Sequence, residues 1–335
     1  SGHQNEIWVT DGTVAGTGVF LDFYPGGSCG FSHGTVVDGT LYFRANNGSG
    51  YELWKTDGTP AGTVSTSVAL PNLAHRAVLG TKLIVGVDDP LLGLEPYAVD
   101  NRTGAAVLLW DTVPGSTGGN CLYPFRVGDR VFFWSEDTAT TSYTLWSTDG
   151  TPGGTNAVRT GFGSMGTYCI NYYQFQSEVA ALDSLDLYVF SALSAPGSTD
   201  NQIWISDGTP GAATAIMDIN ASGDDAVNYL TAAGARHVYF SANDGINGQE
   251  LWMTDGTAAG TMLAADIEPG SASGSPTYIV HSRNRLYFRG TTAAAGAELM
   301  SYDLQHASRE QVGWSTSNHL LNSTDPALGQ NIVIS

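Results

Sequence analysis

One short phrase recurs along this chain and restricts its fold more than any other feature of the sequence. It reads Trp, any residue, Thr or Ser, and then Asp-Gly-Thr, with an apolar residue before the Trp. Complete copies occupy residues 8–13, 54–59, 146–151, 204–209 and 252–257, and degenerate copies occupy 95–100 and 298–303. Self-similarity at a nearly regular interval is the signature of architectures that repeat one supersecondary unit. The sequence therefore predicts seven copies of a single structural unit.

The segments around each copy predict β-strands. A run of β-branched and aromatic residues precedes the phrase, as at 41–43, 131–133 and 238–240, and such residues favour a pleated, half-buried surface. A further apolar segment lies before that run, and a fourth segment follows the Asp-Gly-Thr turn. Each unit is therefore predicted to be a meander of four antiparallel strands, and the fold class is all-β.

The order of the strands predicts a seven-bladed β-propeller formed by one domain, residues 1–335. The chain begins at the third strand of a unit, and residues 328–334 have the pattern of a second strand. We therefore expect C-terminal strands within 322–335 to pair with the N-terminal strands of residues 1–24 and complete blade 1. Closure into a ring also protects the edges of the sheets. An open solenoid is the alternative, but it would need polar capping repeats.

Two repeated side chains allow both structural and functional interpretations. Alternation along the strand sends the Trp to one face, where it can wedge between adjacent sheets or form a stacking platform for sugars. The repeated Asp suggests catalysis, but Asp before Gly also accepts backbone hydrogen bonds in an Asx-turn. Because both side chains recur in five units, we predict structural roles for them. The Asp residues are Asp11, Asp57, Asp149, Asp207 and Asp255.

The repeated phrase, with Glu before it and Gly-Thr after it as at 52–63 and 250–261, resembles the bacterial ELWxxDGT-repeat family. The resemblance covers essentially the whole chain, although the third and seventh copies depart from the pattern and the fifth lacks the following Gly-Thr. It implies a secreted or surface-exposed protein with a propeller-like fold. It brings no catalytic residues to this sequence.

The charge balance excludes several classes of partner. The chain has 32 Asp and Glu residues against 13 Lys and Arg residues, a formal net charge of -19. Nucleic acids and anionic membrane surfaces attract clustered basic residues, so neither is an expected partner. No apolar run is long enough to span a bilayer, and membrane insertion is not expected. We predict an extracellular or cell-surface protein that is a monomer or a domain of a larger protein.

An insertion in the loop that leads into the fifth unit provides the main candidate binding site. Residues 166–175 are rich in aromatic and amide side chains, which suit recognition of a saccharide or a peptide. The alternative is that these aromatic side chains fill the propeller channel or pack the longer loop. The candidate ligand-binding residues are Tyr168, Asn171, Tyr172, Tyr173, Gln174 and Phe175.

A row of residues at the start of the first strands provides the candidate catalytic residues. His33 and His75 occupy equivalent positions in neighbouring units, Tyr123 is third in the row, and Arg76 follows His75. Aligned imidazoles can bind a metal or transfer protons, but hydrogen-bonded structural His residues fit the same pattern. The sequence does not choose between these interpretations.

The sequence requires no cofactor, and calcium is the one candidate. Asn243, Asp244 and Asn247 offer oxygen ligands of the kind that Ca²⁺ prefers, although the same residues suit an ordinary hairpin turn. Cys121 and Cys169 both lie in loops that lead into adjacent units. A disulfide between them is therefore a candidate in an oxidising compartment.

These observations lead to three hypotheses for function. The first is a non-catalytic extracellular binding module that recognises a glycan or a cell-surface protein through its loop-rich face. The second is a polysaccharide lyase or hydrolase with its site at the channel mouth. The third is a structural or adhesive scaffold domain. The sequence holds no nucleophile-elbow, zincin or P-loop motif to decide among them.

Overall fold

The computed structural model describes residues 6–70, 76–115, 118–119, 121–163, 178–234 and 236–304, with the backbone alone for His33. Within these ranges the chain forms 25 β-strands and the 3-10 helices Pro152–Gly154 and Asp183–Leu185. No helix in this described part has the length and apolar character needed to cross a membrane. The strands form seven antiparallel sheets, of which five have four strands, one has three and one has two.

The first compact unit spans Ser1–Thr160 with Gly208–Gly211, and its boundary falls within the strand β14. Its sheets follow one another along the chain as β1–β2, β3–β6, β7–β10 and β11–β14. The strands are β1 (Ile7–Val9), β2 (Gly18–Leu21), β3 (Ser32–Val37), β4 (Thr40–Asn46), β5 (Tyr51–Thr56), β6 (Val64–Ala69), β7 (Arg76–Leu79), β8 (Lys82–Asp89), β9 (Gly93–Asp100), β10 (Ala106–Leu108), β11 (Leu122–Val127), β12 (Arg130–Asp137), β13 (Ser142–Thr148) and β14 (Asn156–Phe162).

The second compact unit spans Gly161–Asp207 with Ala212–Ser335. Its described sheets are β15–β18, β19–β22 and β23–β25. The strands are β15 (Val179–Leu182), β16 (Leu187–Leu193), β17 (Asn201–Ser206), β18 (Thr214–Met217), β19 (Asn228–Ala233), β20 (His237–Asn243), β21 (Gln249–Thr254), β22 (Met262–Ala265), β23 (Thr277–Ser282), β24 (Arg285–Thr292) and β25 (Gly296–Asp303).

The predicted all-β class and the four-stranded meanders are confirmed. Each sheet is built from strands that are consecutive in sequence. The repeated phrase spans the end of the third strand and the turn after it in the sheets of β5, β13, β17 and β21. The second strand of a sheet is central and buried on both faces, which explains its continuous apolar run, as in β8 and β20. Residues 322–335, which we expected to complete blade 1, lie outside the described residues.

The repeated Trp packs against the last residues of the preceding repeat, as predicted for a structural wedge between sheets. Trp204 is 3% exposed and meets Phe162 edge-on, with ring centroids 5.2 Å apart. Trp54 meets Phe23 in the same way at 5.1 Å. Trp8 differs, because it is 61% exposed on a sheet with two described strands.

The Asp-Gly-Thr turn has the predicted Asx-turn geometry. Asp57 Oδ1 accepts hydrogen bonds from the Thr59 N–H at 2.9 Å and from the Thr59 hydroxyl at 2.7 Å. The Thr59 hydroxyl and N–H hold the pKa of the Asp57 carboxyl below its usual range. A Cβ on Gly62 would lie 2.1 Å from Asp57 Oδ1, which explains the Gly of the following Gly-Thr pair. The same bonds recur at Asp11, Asp149 and Asp255.

Candidate functional site

A buried Glu at the start of the third strand fastens the loop that leads to the next unit. Glu250 is fully buried, and its carboxylate accepts hydrogen bonds from the Ile267 N–H at 2.6 Å and the Gly274 N–H at 2.5 Å. Glu95 is also fully buried and accepts equivalent bonds. Its donors are the N–H groups of Thr112 at 2.8 Å and Gly119 at 3.1 Å. In both units the donors lie 17 and 24 residues after the Glu, and we call this arrangement the loop clamp.

The loop clamp keeps a carboxylate where water cannot solvate it. Burial raises the pKa of Glu250 to about 7, although the Gly274 and Ile267 N–H groups oppose the shift, and the charge of Asp266 raises it further. Burial raises the pKa of Glu95 as well. Because the clamp recurs in different units with the same partners, its role is structural.

The fifth copy replaces the loop clamp with a different carboxylate. Gln202 stands where Glu6, Glu52 and Glu250 stand in three of the other complete copies, and the copy at 146–151 has Thr144 there. Asp225, in the loop between β18 and β19, is fully buried and accepts from the Ile219 N–H at 3.1 Å and the Asn220 N–H at 2.6 Å. The carboxylate that holds this loop therefore comes from the loop itself, which brings it close to other acidic groups.

Three carboxylates meet at this point, and we call them the aspartate cluster. Asp200, Asp218 and Asp225 each present an oxygen, and these atoms lie within 4.8 Å of one another. Asp200 Oδ1 also accepts from the Asp225 N–H at 3.0 Å. Burial raises the pKa of Asp225 to about 6, the bonds from Ile219 and Asn220 oppose this shift, and the charges of Asp200 and Asp218 add to it. The cluster therefore concentrates negative charge that its hydrogen bonds do not neutralise.

A buried amide oxygen lies beside the same loop. Asn201 is 1% exposed, and its Nδ2 donates to the Val227 carbonyl oxygen at 2.7 Å, so its amide group lies against the segment that carries Asp225. Its Oδ1 is buried and has no hydrogen-bond donor in the described part of the chain. An unsatisfied buried acceptor costs about 1–3 kcal/mol. Carboxylate and amide oxygens are the ligands that Ca²⁺ takes, so the three carboxylates of the aspartate cluster could hold such an ion, and the Asn201 Oδ1 is an unused ligand atom of the same kind beside their loop.

The predicted calcium residues form a hairpin turn instead of a cluster of open ligands. Asp244 Oδ1 accepts from the N–H groups of Ile246 at 2.8 Å and Asn247 at 2.7 Å, and its Oδ2 accepts from the Asn247 Nδ2. Asn243 Oδ1 accepts from the Gly245 N–H at 2.8 Å. The turn uses these oxygens itself, which agrees with the hairpin interpretation of the sequence.

Two of the candidate catalytic residues, His33 and Tyr123, lie at a repeated β-bulge, whereas Arg76 begins β7, which pairs with β8 without a shift of register. Tyr123 falls where the register between β11 and β12 shifts, and its φ of 54° is in the left-handed region that costs a side chain about 1–3 kcal/mol. His33 lies in the equivalent bulge of β3. Tyr229 and Tyr278 occupy the bulges of β19 and β23, with ring centroids 5.6 Å apart. The sequence analysis missed these two Tyr residues because it followed the His residues.

Several predicted site residues lie outside the described residues. They are His75, Tyr168, Cys169, Asn171, Tyr172, Tyr173, Gln174 and Phe175. The disulfide between Cys121 and Cys169 therefore stays a prediction. Cys121 itself is buried, and burial raises the pKa of its thiol.

The described residues define an all-β repeat protein with an unneutralised acidic cluster. No family model matches the sequence, and no curated protein matches it. Among solved structures, the chain is similar to prolyl endopeptidases at 12% identity and a TM-score of 0.47, over 82% of this chain and 41% of that chain. It is also similar to a puromycin hydrolase at 12% identity, a TM-score of 0.44 and 43% of that chain. A puromycin-hydrolyzing peptidase of Mycobacterium tuberculosis matches at 11% identity, a TM-score of 0.43 and 52% of that chain.

The chain thus spans about half or less of these proteins, and no activity, substrate or residue role transfers from them. The prediction of a non-catalytic binding module for a glycan or surface partner finds no support in these comparisons, since the matched structures are named as peptidases and hydrolases and none is named as a binding module. Polysaccharide chemistry and adhesion find no support among them either. The loop residues on which the glycan prediction depended lie outside the described residues.

Proposed function

We propose that this chain is a calcium-binding repeat domain whose bound ion fixes the loop between β18 and β19. The observation that carries the proposal is the convergence of Asp200, Asp218 and Asp225 within 4.8 Å. These residues come from the start of one strand, the end of the next strand and the loop after it. An ion held by all three would tie these segments together.

The electrostatics of the aspartate cluster favour a divalent cation over an empty cluster. Asp225 is fully buried, and burial together with neighbouring carboxylates disfavours its charged form. A bound cation removes that repulsion. Ca²⁺ suits the site better than Mg²⁺, because Ca²⁺ accepts irregular sets of carboxylate, amide and carbonyl oxygens whereas Mg²⁺ demands octahedral geometry.

An extracellular location, which the ELWxxDGT resemblance implies, would supply the ion. Extracellular calcium modules bind with dissociation constants of about 10⁻⁴ to 10⁻³ M. We therefore propose a structural calcium site of that affinity in a secreted or surface-exposed protein.

The test is calcium titration of the metal-free chain at pH 7.5 by isothermal calorimetry, with thermal unfolding as a second readout. We expect saturable binding and a rise in Tm, equivalent to about 2.7 kcal/mol at a calcium concentration 100 times the dissociation constant. Asp218 is exposed, so Asp218→Asn should fold normally and weaken binding about tenfold or more.

Asp244→Asn is the matched control, because it removes an acidic charge from the hairpin that the sequence also nominated for calcium. This variant should bind calcium as the parent chain does. The proposal is overturned if the folded parent chain binds no calcium, or if Asp244→Asn loses binding while Asp218→Asn keeps it.

We also propose that the seven sheets close into a seven-bladed propeller. The repeated Trp supports this arrangement, because in the second and fifth repeats it packs against the end of the preceding repeat. A compact 335-residue domain has a radius of gyration of about 20 Å. Small-angle scattering should give that value, and a clearly larger one would indicate an open arrangement.

A further inference from the structure

A buried guanidinium in the first compact unit lacks the partner that a buried charge needs. Arg76 begins β7, and its Nε, Nη1 and Nη2 are all inaccessible to solvent. Among the described residues, none of the three nitrogens has a hydrogen-bond partner and no Asp or Glu forms an ion pair with Arg76. Removing a charged group from water without a partner costs several kcal/mol. Arg76 therefore has unused capacity for five N–H donors directed at an anion.

A second positive charge lies beside Arg76. Arg44 in β4 is 5% exposed, and its guanidinium carbon stacks 3.3 Å from the centre of the Tyr51 ring. Burial lowers the pKa of Arg76 to about 10, and the charge of Arg44 contributes to this shift. Like charges destabilise each other at short range, so the structure brings together two cations whose repulsion an anion would relieve.

A hydroxyl group completes the set of donors. Ser32 in β3 lies directly opposite Arg44 in β4. Directly opposed residues present their side chains on the same face, with Cβ atoms about 4.5–5.5 Å apart. The Ser32 Oγ is buried and has no hydrogen-bond partner in the described part of the chain. The Ser32 hydroxyl therefore adds a donor on the face of β3 and β4 that carries Arg44, and the charge of Arg44 acts on Arg76.

We infer that Arg76, Arg44 and Ser32 form a binding site for the oxyanion group of a small ligand, a carboxylate, sulfate or phosphate. The planar guanidinium fork of Arg76 matches two oxygens of such a group and would bind it through two parallel hydrogen bonds. The net charge of -19 repels polyanions, so the ligand is a small molecule that carries one such group. All three residues belong to the first compact unit, and the site is independent of the aspartate cluster in the second.

The experiment compares thermal unfolding of the full chain in sulfate, inorganic phosphate, acetate and chloride at constant ionic strength. We expect a saturable rise in Tm with at least one oxyanion and none with chloride, and the three oxyanion arms identify the preferred group. Arg76→Lys keeps the charge but loses the fork, so its affinity should fall about tenfold. Arg76→Met should lose the effect entirely.

Two comparisons separate binding from a structural role of Arg76. In chloride, the Tm of Arg76→Met should equal or exceed that of the parent chain, because the variant removes an unpaired buried charge. Arg102→Met, at an exposed position in the same unit, controls for the general stabilisation that sulfate gives through exclusion from protein surfaces. The inference is overturned if the parent chain responds to no oxyanion, or if Arg76→Met and the parent chain respond equally.

Discussion

The loop clamp at Glu250 allows a test in which one oxygen is exchanged for an amide nitrogen. Glu250→Gln keeps the size of the side chain, but its NH₂ group faces either the Ile267 N–H or the Gly274 N–H. The lost hydrogen bond to a charged group is worth about 1.5–3 kcal/mol, and the unsatisfied N–H costs about 1–3 kcal/mol. Removal of a buried charge offsets part of that loss, since Glu250 is fully buried. We expect the free energy of unfolding to fall by about 2–4 kcal/mol.

The assay is urea denaturation followed by Trp fluorescence at pH 8, where a carboxyl group of pKa about 7 is mostly ionised. Glu298→Gln is the matched control, because Glu298 occupies the same position in the seventh copy and is exposed. Its effect should stay within about 0.5 kcal/mol. If Glu250→Gln shifts the urea midpoint no more than Glu298→Gln, the clamp does not stabilise the fold.

The raised pKa of Glu250 predicts how the stability of the fold depends on pH. Burial raises the pKa of Glu250 from its usual 4.5 to about 7, so the folded state binds the proton more tightly than the unfolded chain does. The part of the stability that comes from proton binding by this carboxyl group is complete below pH 4.5 and is lost as the pH rises through 7, whereas the hydrogen bonds of the ionised carboxylate remain. The change is on the order of 3 kcal/mol for this one group. Urea denaturation at pH 5 and at pH 8 should show this change in the free energy of unfolding. In the Glu250→Gln variant, the difference in stability between the two pH values should be smaller.

Three further substitutions or reagents test the packing. Trp204→Ala should lower the free energy of unfolding by about 3–5 kcal/mol, because Trp204 is 3% exposed. Trp8→Ala, at an exposed position, should lower it by less than about 1 kcal/mol. Equal losses in thermal unfolding would contradict the role of the Trp as a wedge between sheets. Gly260→Ala should lower the free energy of unfolding by about 1–3 kcal/mol, because a Cβ there would lie 2.1 Å from Asp255 Oδ1. Gly153→Ala is the control, because a Cβ at Gly153 would meet no atom within 4 Å. Similar urea midpoints for the two variants would refute the requirement for Gly at position 260. Cys121 should react with a thiol reagent only after unfolding, because burial raises the pKa of its thiol, and rapid labelling of the native chain would show that it is accessible.

The fold could be predicted from the sequence because its rules are local and repeated. The Trp, the Asp-Gly-Thr turn and the runs of β-branched residues each act within a few residues, and the five complete copies show the same pattern. The turn at Asp57 illustrates this, since its partner Thr59 is two residues away. Closure of the ring is a different kind of property, because it depends on contacts between units that repetition alone does not specify.

The candidate sites could not be predicted in the same way, because their residues come together through packing. Asp225 is recognisable only once Gln202 is seen to lack the carboxylate that Glu95 and Glu250 supply to the next loop. That exchange does leave a sequence signal, since the fifth unit loses an acidic residue from the strand and carries acidic residues in its loop. Arg44 gives no such signal, because it belongs to no repeated motif, and the sequence indicated Arg76 only as the neighbour of His75 in the candidate catalytic row.

The loop clamp also has a consequence for how such a chain can change its length. The acceptor and both donors of a clamp lie within 24 residues, so one short segment of the gene encodes all three groups. A duplication of one unit copies the acceptor together with its donors, and a deletion removes them together. The number of repeats can therefore increase or decrease in evolution without leaving a buried carboxylate that lacks its hydrogen-bond donors. The fifth repeat, which has no such clamp, can diverge in sequence without this constraint.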